Sequence, residues 1–371
     1  MNDRSKSATG SVRALVAWIS ATALAVILLL GLFNYLLNPL TFRVGALREV
    51  AEVLNRGQNF ALDGPNIDFR GLRREHVRLM PSKPDVLLFA GSRFEVATAN
   101  TFPGQTFYNA FAHNDYFEDL LAVTALLEEA DRLPKTLVLS VRHLSFRPIS
   151  ERETDEWRMF SDEYQRMAKR LDIPVASALE RFPLSHYQSM FSVEYLKHGI
   201  AMATQKTALP YGATSQPNAI DRDILHADGS MAFSKNHIGT FSTESARAKA
   251  ADQAKNLSKK KATLPTGEDA KSLEKLLRYL HAKGIQPVIA ITPHHPAFWN
   301  GVAKENYGRT LSELEASIKG IALKSNAVFV GSFDPQVAGC KESSFRDYIH
   351  LDEGCLKTIF DQIPPRAAAA P

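Results

Sequence analysis

Three polar side chains of this sequence could together form an activated serine nucleophile. Ser92 follows the apolar run 86–90 and a single glycine, so it stands where a buried strand is expected to end. Asp347 and His350 lie three residues apart, a spacing that puts both side chains on one face of a helical turn. A serine hydroxyl becomes nucleophilic when a histidine takes its proton and a carboxylate orients that histidine. The set predicts covalent acyl transfer, and the alternative is that Ser92 only caps a turn.

Parallel strands must bring these residues to one edge of a sheet. After residue 80, short apolar runs alternate with helical patterns, which indicates a doubly wound, flavodoxin-like α/β fold with three layers. Ser92 would follow the first strand and Arg142 and His143 the third, and these strands flank the switch point in the order 2-1-3-4-5. The predicted strands are 86–90, 105–109, 136–141, 287–291 and 327–330.

Two short blocks of the chain resemble a known superfamily. Gly91-Ser92 after the first strand and Asp347-x-x-His350 near the C-terminus are similar to the first and last blocks of the SGNH (GDSL-like) hydrolases and acyltransferases. More narrowly, the chain resembles membrane-anchored, exported members. These are the periplasmic proteins of alginate O-acetylation and the D-alanine transfer protein of teichoic-acid modification. The resemblance covers roughly residues 80–145 and 285–355.

The resemblance implies further site residues, with two departures from the family pattern. The loop before the helix at Phe117 would supply an oxyanion-hole donor, but Asn114 stands where the family has a glycine. The third block of the family carries an asparagine, whereas this chain has Arg142 and His143. Arg142 would either hold an anionic substrate group or form a structural ion pair. Asp115 is expected to cap the helix that follows it.

His294 and His295 follow the fourth predicted strand. Adjacent residues rarely bind one metal together, and no carboxylate or cysteine stands at ligand spacing, so we expect neither a metal nor a cofactor. Contact with the substrate through His295, or packing of the loop, is the preferred interpretation.

An N-terminal apolar segment predicts a membrane anchor. Residues 14–37 contain no charged side chain over 24 positions, and about 20 suffice to cross a bilayer. The segment is longer than the apolar core of a cleaved signal peptide. Arg4, Lys6 and Arg13 precede it against the single acid Asp3, which places residues 1–13 in the cytoplasm. We therefore expect a single-pass protein of the cytoplasmic membrane, with its main domain in the periplasm or otherwise outside the cytoplasm.

The two cysteines of the chain, Cys340 and Cys355, bracket Asp347 and His350. In an oxidising compartment they could form a disulfide that closes a loop of roughly 15 residues and contributes about 3 kcal/mol. The alternative is two buried thiols. Because the anchor indicates export, we predict the disulfide.

The rest of the chain divides by composition. Residues 38–80 are expected to be a tether with packing elements, including a basic stretch at 70–74. Its Arg73 and Arg74, with Arg78, are expected to be solvated, and the alternative is contact with an acidic ligand. Residues 81–363 are expected to be an SGNH-like domain with an insertion at about 151–265. Within that insertion, 208–241 reads as a structureless lid and 243–261 as a polar helix with little to bury. Residues 364–371 are expected to be disordered. A net charge of +4 with dispersed lysines and arginines, and no recognisable motif, argues against nucleic-acid binding.

Two functions remain open from the sequence. The first is a membrane-anchored O-acyltransferase or esterase that acts on an exported polysaccharide or cell-envelope glycan. The second is a non-catalytic accessory protein of the same fold, which binds a glycan or a membrane-bound acyltransferase. The serine, aspartate and histidine favour the enzyme, whereas the two departures from the family pattern favour the accessory protein.

Overall fold

Five parallel strands form the central sheet. The computed structural model describes residues 3–62, 67–113, 115–152, 156–175, 188–204, 207–235 and 242–364. The strands predicted second, first, third, fourth and fifth lie side by side in that order, and neighbouring strands pair in parallel. The parallel α/β sheet is thereby confirmed. Its strands are β2 (Val86–Phe89), β3 (Phe107–Asn109), β4 (Thr136–Ser140), β8 (Gln286–Ile291) and β9 (Val328–Gly331).

Helices cover both faces of this sheet. Alternate side chains of each strand point to opposite faces, and both sets are buried. Leu87 and Phe89 pack with the helices at residues 117–129, 267–282 and 306–324, whereas Val86 and Leu88 pack with the helix at 353–360. The helices are α1 (Asp3–Leu37), α2 (Pro39–Phe42), α3 (Val44–Asn55), α4 (Phe69–Leu79), α5 (Phe117–Glu129), α6 (Ser161–Arg170), α7 (Val193–Thr204), α8 (Thr243–Leu257), α9 (Gly267–Ala282), α10 (Pro296–Val302), α11 (Asn306–Lys324), α12 (Pro335–Ala338) and α13 (Glu353–Phe360).

A second, antiparallel sheet pairs a strand of the predicted tether, 38–80, with strands of the predicted insertion, 151–265. Strand β1 (Asn59–Leu62) lies between β5 (Gly212–Thr214) and β6 (Asp223–Leu225), and β7 (Met231–Ala232) pairs with β6. The region predicted to be structureless therefore contains three short strands. Its turn approaches the central sheet so closely that a Cβ on Gly229 would meet the carbonyl oxygen of Asn109 at 2.2 Å.

The basic stretch at residues 70–74 is mostly buried, not solvated. Arg70 forms an ion pair with Asp119, with 2.9 Å between Nε and Oδ1, and Arg74 pairs with Glu163. Arg73 donates hydrogen bonds to the carbonyl oxygens of Phe111 and Gly229. These arginines join α4 to neighbouring elements because each meets an acceptor that offsets the cost of burying its charge.

One helix near the N-terminus is long and apolar enough to cross a membrane. Residues 12–37 of α1 are apolar and almost wholly exposed in the isolated chain. Near the end of the helix, Asn34 donates to the carbonyl oxygens of Met190 and Ser192, at 2.7 and 2.9 Å. The helix is thus compatible with a single membrane anchor whose last turns contact the α7 region.

Helix α8 buries a stripe of small side chains. Ala246, Ala250 and Ala254 are buried at helical spacing, and a Cβ on Gly301 of α10 would meet the Cβ of Ala254 at 2.7 Å. The expectation that this helix has little to bury was wrong. Alanine carries little apolar surface, but its small size lets α8 approach α10 closely.

Candidate active site

The three residues predicted to act together lie in one hydrogen-bonded chain. The Oγ of Ser92 is 3.0 Å from Nε2 of His350, and Nδ1 of His350 is 2.7 Å from Oδ2 of Asp347. Ser92 opens a short 3₁₀ turn directly after β2, while the other two residues lie between α12 and α13. The distances are those of a nucleophile, a base and an orienting carboxylate.

The His350 side chain and two backbone N–H groups keep Asp347 ionised. Its Oδ1 accepts hydrogen bonds from the backbone N–H groups of Ile349 and His350, at 2.7 and 2.8 Å. Burial disfavours the charged form, but the His350 imidazole and these N–H groups outweigh it and lower the pKa of Asp347 to about 2. An ionised Asp347 favours the tautomer with the proton on Nδ1 of His350, which leaves Nε2 free to accept the Ser92 proton.

An ion pair joins the turn at residues 91–95, the serine turn, to the loop at residues 340–355 that carries Asp347 and His350, the histidine loop. Nη2 of Arg346 lies 2.8 Å from Oε1 of Glu95, and the Nε of Arg346 donates to the carbonyl oxygen of Leu351. Burial raises the pKa of Glu95, but the nearby imidazoles of His113 and His350 and the guanidinium of Arg346 lower it overall. Sequence reasoning missed this pair. The available signal was an acid placed three residues after the predicted nucleophile, in an otherwise apolar setting.

The histidine loop is closed at its base. The predicted disulfide between Cys340 and Cys355 is confirmed, with 5.3 Å between the two Cα atoms. Phe345 and Leu351 form an antiparallel bridge inside the loop, and Asp352 caps α13 by accepting from the N–H of Cys355. The loop that presents the base is therefore held at both ends.

A glycine is required at position 91 because a neighbouring side chain leaves no room for a Cβ atom, and not because the backbone conformation is unusual. Its φ of −75° is open to any residue, but a Cβ would meet Oδ1 of Asp115 at 2.5 Å. Asp115 does not cap α5 as predicted, because Tyr116 is the N-cap and its N–H donates to Asp119. Instead, Asp115 is buried under the serine turn and accepts a hydrogen bond from Ser140, and burial raises its pKa.

Arg142 follows β4 and faces the same region. Its Nε donates to the carbonyl oxygen of Asp115 at 3.0 Å and lies 3.0 Å from the Oδ1 of the same residue. Its guanidinium also lies 5.3 Å above the ring of Tyr116. Arg142 therefore forms the structural ion pair that was one of its two predicted roles, and its Nη2 has no hydrogen-bond partner among the described residues.

A cavity of about 390 Å³ opens beside Ser92. Strand ends form one side, and residues of α8, α11 and the histidine loop form the others. None of the described residues of the segment predicted as a lid, 208–241, contributes to its wall; α8 does so instead. The polar side chains of the wall are Ser92, Arg93, Asp115, Ser140, Arg142, His143, Arg147, Gln253, Asn256, Thr292, Tyr307 and Tyr348.

The remaining predicted site residues are placed differently. His143 lines the cavity, with its ring centroid 5.5 Å from that of His294. His295 does not line the cavity, because its Nδ1 caps α10 by accepting from the N–H of Ala297. Asn114 lies outside the described residues. Among the residues that the structure does describe, no three histidine, cysteine or acidic side chains are grouped so as to hold a metal ion.

No protein-family model matches the chain, and no curated protein shows significant similarity to it.

Proposed function

We propose that this protein is a membrane-anchored serine O-acyltransferase or esterase of the SGNH type, acting on an exported polysaccharide or cell-envelope glycan. The single observation that carries the proposal is the hydrogen-bonded chain from Ser92 through His350 to Asp347. The strand order and the position of Ser92 at the carboxyl end of the first strand support a flavodoxin-like, SGNH-type fold.

The geometry suggests a two-step reaction. In the first step, Oγ of Ser92 forms a bond to the acyl carbonyl carbon while its proton passes to Nε2 of His350. The carbonyl oxygen becomes an oxyanion that faces the backbone amide of Ser92 and, in this proposal, Asn114. The tetrahedral intermediate then breaks its bond to the leaving alcohol, which takes the proton from His350, and an acyl-serine remains.

The second step reverses these roles. His350 removes the proton from an incoming hydroxyl, whose oxygen bonds to the acyl carbon, and Ser92 leaves and regains its proton. A glycan hydroxyl gives acyl transfer, and water gives ester hydrolysis. Asp347 stays ionised throughout and stabilises the imidazolium that forms in each step.

The cell-envelope setting rests on the N-terminal helix and on the disulfide. A long apolar helix near the N-terminus is compatible with anchoring, and a disulfide is compatible with an oxidising compartment outside the cytoplasm. A glycan acceptor and a membrane-bound acyltransferase that supplies acyl groups would meet the site on that side of the membrane.

The second candidate is an accessory protein without turnover. Arg142 favours it, because this residue occupies the position of the family asparagine and is engaged with Asp115. Such a protein would bind the glycan or the acyltransferase through the same cavity.

Turnover of a generic ester distinguishes the two. Detergent-solubilised full-length protein should hydrolyse 4-nitrophenyl acetate, and Ser92→Ala and His350→Ala should each lower kcat by about 10³-fold or more. The double variant should be little worse than either single variant, because the residues act as one unit. Ser312→Ala, on α11, is the matched control and should keep full activity. Wild-type protein without measurable turnover would favour the accessory function.

A further inference from the structure

Arg93 is a partly buried cation that forms no ion pair with an acidic side chain of the described residues. It follows the proposed nucleophile directly and lines the cavity beside it. Its one polar contact among the described residues is a long hydrogen bond from Nη1 to Oγ1 of Thr292, at 3.4 Å. Asp115 and Asp347 act on it only from a distance, and burial, together with the charge of Arg142, lowers its pKa to about 10. A partly buried charge that no described residue pairs is costly, so its presence calls for a reason.

The described wall of the cavity holds two further arginines and one acidic side chain. Arg142 and Arg147 line the same cavity, and Asp115, the one acidic side chain among the described wall residues, pairs with Arg142. His143 and the adjacent His294 are neutral, because burial and the charge of Arg93 lower the pKa of both rings well below its ordinary value. Hence the charge of Arg93 is left for a ligand to neutralise.

We propose that this cavity is an anion subsite in which Arg93, with Arg142, binds a carboxylate group of the substrate. A planar guanidinium donates two parallel hydrogen bonds to a carboxylate, which gives both orientation and affinity. One uncompensated positive charge matches one monoanion. Because Ser92 and Arg93 line the same cavity of about 390 Å³, the bound carboxylate and the ester that is attacked would belong to one compact part of the substrate.

The carboxylate has two possible sources. It would belong to the acyl group, as in a dicarboxylic hemiester, or to the sugar, as in a uronic acid. Gln253 and Asn256 of α8, together with Tyr348, line the opposite wall and offer hydrogen bonds to hydroxyl groups. These polar groups fit a saccharide ring next to the charged group in either case.

Binding without turnover tests the subsite separately from the chemistry. The proposal rests on the proposed function for the presence of an ester, but binding of a carboxylate does not require turnover. The test therefore uses full-length Ser92→Ala protein in detergent and measures the affinity for monomethyl succinate against methyl butyrate, and for galacturonate against galactose. At least one carboxylate should bind about 10-fold more tightly than its neutral counterpart. The succinate arm reports an acyl source, and the galacturonate arm reports a sugar source.

Substitution of Arg93 identifies the binding group. In the Ser92→Ala background, Arg93→Met should abolish the preference for the carboxylate, and Arg93→Lys should keep part of it, since the charge remains without the two-pronged geometry. Arg93→Met should unfold at the same temperature as its parent or higher, because it removes a partly buried charge that no described residue pairs. Arg48→Met, an exposed arginine on α3, should leave binding unchanged.

Three results would overturn the proposal. One is equal affinity for charged and neutral members of both pairs. Another is an undiminished carboxylate preference in folded Arg93→Met or, if that variant does not fold, in Arg93→Lys. The third is binding of inorganic phosphate with neither carboxylate bound. Carboxylate binding by a protein whose wild-type form shows no ester turnover would keep the subsite and remove the proposed enzyme.

Discussion

At the scale of single residues, the site consists of polar groups whose charge is set by their immediate neighbours. Asp347 is partly buried, yet two backbone N–H groups and the ring of His350 keep it ionised. Asp115, which has fewer compensating contacts, has a raised pKa because burial dominates. The pKa values of two carboxyl groups in one site are thus shifted in opposite directions, and the carboxyl with the lowered pKa contacts the proposed base.

The depressed pKa of Asp347 predicts a pH-dependent contribution to stability. A carboxyl with a pKa of about 2 in the folded protein, against an ordinary value of 3.8, stabilises the fold fully above pH 4–5. As pH falls through the folded pKa, that contribution of about 2 kcal/mol is lost. The difference in unfolding free energy between wild type and Asp347→Asn should therefore shrink by this amount between pH 5 and pH 2, as measured by urea unfolding.

Ser92→Ala serves as the control for Asp347, because it disturbs the same hydrogen-bonded chain but keeps the carboxylate. Its pH dependence should parallel that of wild type. If the unfolding free energy of Asp347→Asn also changed with pH in parallel with that of wild type, the contacts described would not be what keeps the carboxylate ionised.

At the scale of elements, the site depends on how a strand end and a distant loop are joined. Glu95 on the turn after β2 and Arg346 on the loop before α13 form an ion pair across 251 residues of sequence. The β6–β7 hairpin strengthens this connection through two contacts. The N–H of Met231 donates to the carbonyl oxygen of Glu95, and the guanidinium of Arg346 lies over the ring of Phe233, which follows β7. These contacts set the distance between Ser92 and His350.

A double-mutant cycle on Glu95 and Arg346 tests whether their ion pair positions His350 relative to Ser92. Glu95→Gln and Arg346→Met should each lower kcat by about 10-fold, because a small displacement of base from nucleophile is enough to slow transfer. The double variant should be no slower than either single variant, with a coupling energy of about 2 kcal/mol in urea unfolding.

The exposed pair Arg247–Glu342 is the matched control for that cycle. Substitution of either partner should leave kcat unchanged and show far weaker coupling, because solvent screens exposed pairs. Additive effects of Glu95→Gln and Arg346→Met on both kcat and stability would show that the ion pair does not position the histidine loop.

Sequence patterns predicted the elements with continuous apolar signals and missed those made by distant contacts. The inner strands of the central sheet, β2, β4 and β8, are buried on both faces, so their cores are apolar runs with little ambiguity. The antiparallel sheet has strands of two to four residues, which are too short for a periodic pattern. Ser92, Asp347 and His350 were predictable from residue type and order, whereas the Glu95–Arg346 pair and the position of Asp115 depend on three-dimensional proximity.

At the scale of the whole molecule, an apolar N-terminal helix precedes a domain with a disulfide. The two features point to the same compartment, since disulfides persist outside the cytoplasm. Arg4, Lys6 and Arg13 precede the apolar segment, so the orientation expected from charge places the domain outside as well.

This orientation predicts the behaviour of reporters fused after residue 371. Alkaline phosphatase, which requires export, should be active in such a fusion, and a reporter that works only in the cytosol should be silent. Replacing Arg4, Lys6 and Arg13 with glutamine should lower the phosphatase signal, because it removes the charge bias that fixes the topology. A fully active cytosolic reporter would contradict both the orientation and the compartment proposed for the reaction.

The most direct test of the central claim, that Ser92 is an activated nucleophile, is covalent labelling with a fluorophosphonate followed by peptide mass mapping. We expect one adduct, on Ser92, in wild-type protein and none in Ser92→Ala. Labelling should slow by at least about 10²-fold in His350→Ala, because the base no longer takes the serine proton. Native protein that stays unlabelled at Ser92, or labels equally fast without His350, would contradict the account and leave Ser92 as a turn residue.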